Sequence, residues 1–461
     1  MSPNQYAPEE PITSIATALA PAALGIIRVS GKNCIELVSK VFSRPKALLN
    51  TAGNTLVYGW IQTAPENRID EVMLAVYRSP KSFTGEDMVE IFCHGGPAVV
   101  TAIQNLMLKS GFRQANRGEY TFRAYINGKT DLTKAEAVKE IIDSHTDVSR
   151  SHAAGRLSGS LFTEIDSIKK LIIDTLAAIE VEIEYPEDEE TIADTFDRKD
   201  IETAIERLQS LADSWKGEKL YQDGARVVLA GRTNAGKSSL FNAILKEERA
   251  IVSDIEGTTR DWLESWASIN GIPVRLFDTA GLRETQDVIE AKGVEISRSL
   301  AEDADVVLYL VDSTTGMTMD DENFINACSI PLVVAATKSD AVLNSGDRPF
   351  CMNSGDRPFC TISSKTGSGL KELFDTIEKI LKSGITTERQ QAGLGSARQK
   401  EAVAEALECV RHALVSADDN YTLDAVVQDL EDALDSLGEV TGDVTPDDVL
   451  GSIFANFCVG K

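Results

Sequence analysis

Eight residues, Gly231-Arg232-Thr233-Asn234-Ala235-Gly236-Lys237-Ser238, have the types and spacing of a loop that wraps phosphate groups. Glycines at its first and sixth positions let backbone N–H groups close around an anion, and a helix N-terminus behind them adds positive potential. Lys237 is placed to reach β- and γ-phosphate oxygens and the Ser238 hydroxyl to ligate Mg²⁺, with Ser239 continuing the same turn. The apolar run Arg226–Ala230 ahead of the loop and Leu240, Phe241, Ile244 and Leu245 behind it supply the strand and helix that such a loop requires.

Four more segments follow in an order that adds a base and a metal to the phosphates. Gly257-Thr258-Thr259-Arg260-Asp261 sits where Thr259 can complete the Mg²⁺ shell. Asp278-Thr279-Ala280-Gly281 closes the run Val274–Phe277, with Asp278 near the magnesium and the Gly281 amide near the γ-phosphate. Thr337-Lys338-Ser339-Asp340 ends the run Leu332–Ala336, and the Asp340 carboxylate can accept from guanine N1–H and N2–H, a pairing adenine does not offer. Ser363-Ser364-Lys365 supplies backbone donors for guanine O6. Each segment falls at the C-terminal end of a strand, where open α/β sheets bind ligands. The pattern predicts a guanine-nucleotide-hydrolysing module between about Gly224 and Gly384.

The elements that must hold these residues are legible in the periodicity. Arg226–Ala230, Val274–Phe277, Val306–Val311, Leu332–Ala336 and Thr361–Ser363 read as buried strands alternating with helices, hence a mostly parallel sheet. Ahead of them, Leu157, Leu161, Ile165, Ile168, Ile172, Leu176 and Ile179 predict one unbroken apolar stripe on a long helix, and Ile201, Ile205, Leu208, Leu211 and Trp215 a second. Helical periodicity returns from Arg398 to the end (Val403, Leu407, Val410, Leu414; Leu423, Val427, Leu430, Leu434, Leu437). Residues from Ile12 to Arg123 mix short β-branched runs with a helix-like stretch at Ala98 to Lys109. The expected fold is an α/β GTPase domain (a P-loop and a mostly parallel sheet) inserted in an all-helical domain, plus an N-terminal α+β domain. The boundaries are 1–124 for the N-terminal domain, 125–222 and 385–461 for the two helical parts, and 223–384 for the inserted module.

Composition narrows the setting. Seven dispersed cysteines without a CxxC pair, and only four histidines, argue for reduced thiols in the cytoplasm and against a disulfide framework or zinc site. No apolar run approaches the ~20 residues of a membrane span, and the first ten residues carry Glu9 and Glu10 without any Lys or Arg, which fits no secretory or transit peptide. A net charge of −26 makes the whole chain a poor electrostatic partner for nucleic acid, so any RNA must be held by a local basic patch or a second subunit. The acidic run Glu180 to Glu190, broken by Pro186, reads as a solvated connection between helices or, less simply, as a metal site. Asn344 to Cys351 recurs as Asn353 to Cys360, a duplication in loop chemistry that lengthens a surface loop.

The flanks carry a resemblance. Ile27-Arg28-Val29-Ser30-Gly31, Phe83-Thr84-Gly85-Glu86-Asp87-Met88-Val89-Glu90, His94-Gly95-Gly96, Gly118-Glu119-Tyr120, Asn127-Gly128-Lys129-Thr130-Asp131-Leu132, Leu437-Gly438-Glu439-Val440-Thr441-Gly442 and the terminal Phe457-Cys458-Val459-Gly460-Lys461 surround the inserted GTPase. Together they closely resemble the MnmE/TrmE tRNA-modification GTPases over nearly the whole chain. The resemblance implies a potassium-dependent, homodimeric GTPase that pairs with an FAD-dependent subunit of the MnmG/GidA type in a heterotetramer. It also implies modification of tRNA at C5 of the wobble uridine, by aminomethyl or carboxymethylaminomethyl addition, with a one-carbon unit from 5-formyl- or methylene-tetrahydrofolate. By the same resemblance Arg28, Glu90, Lys129 and Lys461 hold the folate. Cys458 serves modification as a nucleophile, its thiolate favoured by the nearby Lys461 cation.

Potassium would be held by Asn234 and the loop Ser253-Asp254-Ile255-Glu256-Gly257-Thr258, through Ser253, Ile255 and Thr258, and Glu290 would help to orient the attacking water. Read from residue type alone, without the resemblance, Arg28 is a strand-end arginine, Glu90 a capping carboxylate, Glu290 an exposed helix carboxylate and Cys458 a buried small hydrophobe. The chain departs from the family at Thr337, where Asn is usual in N-K-x-D, and at Ala20-Pro21-Ala22-Ala23-Leu24-Gly25, which replaces a Gly-rich turn. Arg117, Ser396 and Glu431 are smaller departures. A ribosome-assembly or switch-type GTPase, whose hydrolysis only times binding, is the alternative. A scaffold with a relic nucleotide site would predict damage at Lys237 or Asp278, and both are intact.

Overall fold

Strand and helix periods take turns along the chain, and the elements follow them. The structure, a computed structural model, describes residues 10–184, 198–247, 263–278, 303–341, 357–383, 385, 392–418 and 423–460. At the front lie β1 (Ile12–Ile15), β2 (Ala22–Ser30), α1 (Cys34–Ser39), α2 (Pro45–Asn50), β3 (Thr55–Ala64), β4 (Asn67–Tyr77), β5 (Met88–Gly95), α3 (Pro97–Lys109), β6 (Arg113–Gln114) and α4 (Glu119–Ile126). Their sheet has the order β3-β4-β5-β2-β1-β6, antiparallel except where β1 meets β6. In β2, Ile27 and Val29 point into a core completed by Ile91, Val100, Ile103 and Met107. Arg28 between them must emerge on the opposite face, directly across from Glu90 of β5.

The helical stretch holds α5 (Leu132–Asp143), α6 (Asp147–Leu157), α7 (Ser160–Glu184) and α8 (Arg198–Asp223). The stripe predicted to run unbroken from Leu157 is cut in two. Gly159, at φ 98°, turns the chain between α6 and α7, a conformation glycine adopts without a Cβ clash. Leu161, Ile165, Ile168, Ile172 and Ile179 are then fully buried, while Leu157, on the far side of the break, is 38% exposed. Of the acidic run, residues from 185 onward lie outside the described residues.

The inserted module comprises β7 (Ala225–Gly231), α9 (Lys237–Glu247), β8 (Leu263–Ile269), β9 (Ile272–Asp278), β10 (Val306–Asp312), α10 (Met319–Ala327), β11 (Leu332–Thr337), β12 (Phe359–Thr361) and α11 (Leu370–Leu381). The sheet order β12-β11-β10-β7-β9-β8 is parallel throughout except for the β8–β9 hairpin. Strand β7 is covered on both faces: Val227 and Leu229 enter one apolar cluster, Val228 and Ala230 another. Two strands differ from expectation. Strand β8 was not among the predicted ones, although Asn270-Gly271, both at positive φ (50° and 85°), is the two-residue turn that hairpins favour. The last strand lies two residues earlier than Thr361–Ser363, because Phe359–Thr361 pair with Val334–Ala336 while Ser363 already bonds Ser368 in a turn. The second copy of the duplicated octapeptide therefore ends in a strand, with Cys360 in the core; residues 342–356 lie outside the described residues.

After the module come α12 (Ala397–Asp418), α13 (Leu423–Thr441) and α14 (Asp447–Ala455). Helix α13 buries Val426, Leu430, Ala433, Leu437 and Val440 and packs along α7, where Lys169 pairs with Asp443 at 2.7 Å. Phe454 of α14 meets Phe122 of α4 edge to face at 5.4 Å. The chain forms two compact units, one from Met1–Lys139, Arg156–Leu208 and Glu401–Lys461, the other from Glu140–Gly155 and Gln209–Lys400. Among the described residues no helix is long and apolar enough to cross a membrane.

Candidate functional site

The phosphate loop starts where β7 runs out beside β10. Gly231 takes φ 133°, and a Cβ built on it would overlap the Leu310 carbonyl oxygen, so only glycine fits there. Asn234 (φ 64°) and Gly236 (φ 95°) also adopt left-handed backbone, asparagine being among the side chains that tolerate it best. Between them Ala235 is buried, and Lys237 begins α9. The Lys237 ammonium donates to the carbonyls of Gly231 (2.7 Å) and Arg232 (2.8 Å), stretching back across the mouth of the loop. Burial pushes its pKa down from the ordinary lysine value, and the Asp278 carboxylate opposes that shift. The Ser238 hydroxyl donates to Asp278 Oδ2 at 2.9 Å, and Asp278, at the end of β9, is 1% exposed. A hydroxyl and a carboxylate side by side at a phosphate loop form an all-oxygen donor pair of the kind Mg²⁺ takes. Ser239, next in the helix, is exposed.

Register brings the residues expected to read the base to the same edge. Thr337 closes β11 opposite Asp312, the last residue of β10. The buried Thr337 hydroxyl donates to the Ala235 carbonyl at 2.7 Å, which joins this turn to the phosphate loop. Lys338 turns through φ 59° and pairs with Asp312 at 2.7 Å. Asp340 accepts from the Ser363 hydroxyl through Oδ1 at 2.7 Å, while Oδ2 accepts nothing among the described residues. The Ser363 side chain also caps the Thr366 amide, which holds the turn carrying Ser364 and Lys365. Asp312 was not singled out in the sequence; an acidic residue ending a strand, directly opposite the first residue of the Thr337–Asp340 turn, was the available signal. Ser253, Asp254, Ile255, Glu256, Gly257, Thr258, Thr259, Thr279, Ala280, Gly281 and Glu290 lie outside the described residues.

The second group of expected site residues gathers around β2, β5 and the C-terminal tail. Arg28 donates twice to Glu90 Oε1, from Nε (2.9 Å) and Nη2 (2.6 Å), and once from Nη1 to the Gly460 carbonyl (3.0 Å). The rings of Phe83 and Tyr120 lie 5.7 and 5.6 Å from its guanidinium carbon. Among the described residues Glu90 Oε2 takes only a long bond from the Tyr77 hydroxyl, 3.4 Å. Lys129 is exposed beside the turn at Gly85, and Asn127 donates to Thr84 O to hold the two loops together. The tail is pinned by a bridge between Arg117 and Val459 and by Gly118, where a Cβ would meet Phe454 O at 2.5 Å. Cys458 in that tail is exposed, so it is not the buried small hydrophobe that residue type allows. Lys461 lies outside the described residues. The sequence singled out the two ends of this tail cluster but not Gly460 or Arg117 as their connectors.

The profile of the MnmE helical domain matches residues 132–458, and that of the GTP-binding protein TrmE N-terminus matches residues 11–129. Among curated proteins, a tRNA modification GTPase MnmE of Treponema denticola is 50% identical over 100% of both chains. Its namesake in Treponema pallidum is 42% identical over 100% of both chains. The one in Borrelia turicatae is 40% identical, over 99% of this chain and 100% of its own. With matching profiles front and back and full-length identity at this level, the chain belongs to the MnmE family of tRNA modification GTPases.

Proposed function

We propose that this chain binds and hydrolyses GTP with potassium as an activating cation, and acts in the cytoplasm with an FAD-dependent partner to modify C5 of the wobble uridine in tRNA. One observation carries the nucleotide reading: Lys237, the Ser238–Asp278 pair and the Thr337–Asp340–Ser363 turn converge at one edge of the sheet. Their chemistry matches phosphate, metal and guanine in the order a nucleoside triphosphate presents them. Lys237 neutralises β/γ oxygens, Ser238 ligates Mg²⁺ with Thr259, and Asp278 holds the metal's water shell. Mg²⁺ when bound supplies charge to the developing phosphate anion. Asn234, Ser253, Ile255 and Thr258 are the proposed potassium ligands, and Glu290 orients water.

The folate assignment is supported by the donor set around β2 and β5. Glu90 Oε2 is available for amino donors of a pterin, and Lys129 and Lys461 offer cations to a glutamate tail. Arg28 would hold both Glu90 and the tail that carries the nucleophile Cys458. Dimer formation through the N-terminal domain is supported by Leu56, Tyr58 and Met73, all half or more exposed or nearly so (60%, 52% and 46%) on paired strands β3 and β4.

The deciding test is steady-state GTP hydrolysis by the full chain in potassium chloride and in sodium chloride at equal ionic strength. Strong activation by potassium is the expected result. Equal rates would overturn the cation assignment and leave a switch-type GTPase that needs a protein activator.

A further inference from the structure

We propose that Thr337 is a positioning residue that ties the base-recognition turn to the phosphate loop, and that its hydroxyl, committed to that task, leaves purine N7 unread. The inference rests on the guanine-nucleotide reading above and adds how the base is discriminated. Thr337 is 1% exposed, so its side chain is part of the floor and not of the open edge. Its hydroxyl lies 2.7 Å from the Ala235 carbonyl and 3.3 Å from that of Val311, and both neighbours are acceptors.

A hydroxyl has a single hydrogen, and here carbonyls take it. N7 presents a lone pair and needs a donor. The asparagine usual at this position has two N–H hydrogens to divide between a carbonyl and a base; threonine has none to spare. The same side chain supports the loop from below: a Cβ built on Gly236 would lie 3.5–3.7 Å from three of its atoms. Lys338, the next residue, is fixed by its positive φ and its pair with Asp312, and Asp340 is fixed through Ser363. The turn is thus anchored at its start by Thr337 and at its end by Asp340. Recognition falls to the edge of the base that carries N1, N2 and O6.

Equilibrium binding of GDP and 7-deaza-GDP to the full chain, its T337S variant and its T337V variant tests both parts. The wild-type chain is expected to bind the two nucleotides within about twofold of each other, since no hydrogen bond to N7 is lost. T337V should weaken both nucleotides by the same factor, about five- to tenfold, as one hydrogen bond disappears and a buried carbonyl is left unmet. T337S, which keeps the hydroxyl, should restore both to within about twofold of wild type. Discrimination of about fivefold or more against 7-deaza-GDP by the wild-type chain would show that N7 is read and overturn the proposal. T337V with wild-type affinity would overturn the positioning role. If T337V does not fold, the wild-type comparison and T337S still decide, since the first reads N7 directly and the second separates hydroxyl from methyl. Failure of GDP itself to bind is a different result, which overturns the guanine reading and not only the role of Thr337.

Discussion

Replacing Asp340 by Asn removes one charge and turns an acceptor into a donor while leaving shape almost unchanged. In the structure one carboxylate oxygen of Asp340 accepts from Ser363 at 2.7 Å and the other accepts nothing among the described residues. The free oxygen and the remaining lone pairs suit the two parallel N–H groups of guanine. An amide keeps a single oxygen, which Ser363 already approaches, and presents N–H to N–H at the second position. Losing one charge-assisted bond and creating that opposition costs at least about 2 kcal/mol, roughly 30-fold in affinity. Xanthine carries an oxygen where guanine has its 2-amino group, so the same amide should recover affinity for XDP. Calorimetric titration of D340N with GDP and XDP reads both. The expected result is GDP weakened about 30-fold or more with XDP gaining relative to wild type. GDP affinity within about threefold of wild type would refute the assignment of Asp340 to the base. Equal losses for GDP and XDP would refute it too, since they would show damage to the turn and no role in discrimination.

Three further outcomes follow from particular contacts. Gly231→Ala forces a Cβ into the Leu310 backbone at φ 133°, so it should destabilise the nucleotide-binding unit by about 2–4 kcal/mol and abolish GDP binding, as read by denaturant unfolding and titration. His145 stacks on Trp266 at 3.8 Å, and its pKa is lowered first by burial and then by Arg275, with Asp143 opposing. Because the folded value is below the unfolded one, the unfolded chain binds the proton first, and stability falls as pH drops below the ordinary histidine range near ~6.5. His145→Phe keeps the stack without titrating, so its unfolding midpoint should fall less than that of wild type between pH 7.5 and 5.5; equal slopes would remove His145 as a contributor. Cys458→Ser should abolish tRNA modification, leave GTP hydrolysis intact and shift stability by less than about 0.5 kcal/mol, since the thiol is exposed; retained modification would take Cys458 out of the mechanism.

The convergence of the described candidate residues was legible because nucleotide chemistry would constrain residue type and spacing together. Gly231 and Lys237 stand at fixed intervals between a strand and a helix, and Asp278 and Asp340 follow at strand ends, so reading the strands sufficed to bring them to one edge. What was not legible depended on register and on short-range backbone geometry. The break at Gly159 could not be separated from a continuous stripe by counting apolar positions, since Leu157 keeps the spacing of the stripe while sitting outside it. Strand β8 carries Leu263, Trp266, Ala267 and Ile269 among Glu264, Ser265 and Ser268, an apolar spacing without strict alternation, and the Asn270-Gly271 turn is its clearest announcement. The shift of the last strand to Phe359–Thr361 follows from pairing with Val334–Ala336, information that resides in the partner strand.

The same distinction separates residue identity from residue role at the two sites. Arg28 and Glu90 were recognisable as a cation and a carboxylate suited to a ligand, yet antiparallel register sets them face to face, where Arg28 takes up Glu90 Oε1 and leaves Oε2 as the more accessible acceptor. A ligand arriving there competes with a formed ion pair, in which both members are only about one-sixth exposed (16% and 15%). It also approaches the guanidinium that holds Gly460, two residues from Cys458. If the proposed ligand sits beside Glu90, its occupancy and the placement of the Cys458 tail would be linked through the Arg28 side chain. Thr337 makes the complementary case. By type alone it is a lost amide and a weaker grip on the base. Its burial and its bond to Ala235 show instead a side chain turned inward, holding the phosphate loop and the base-recognition turn to a common geometry. On the proposed reading, Asp340 would discriminate guanine at its Watson–Crick edge because Thr337 fixes where that edge must lie.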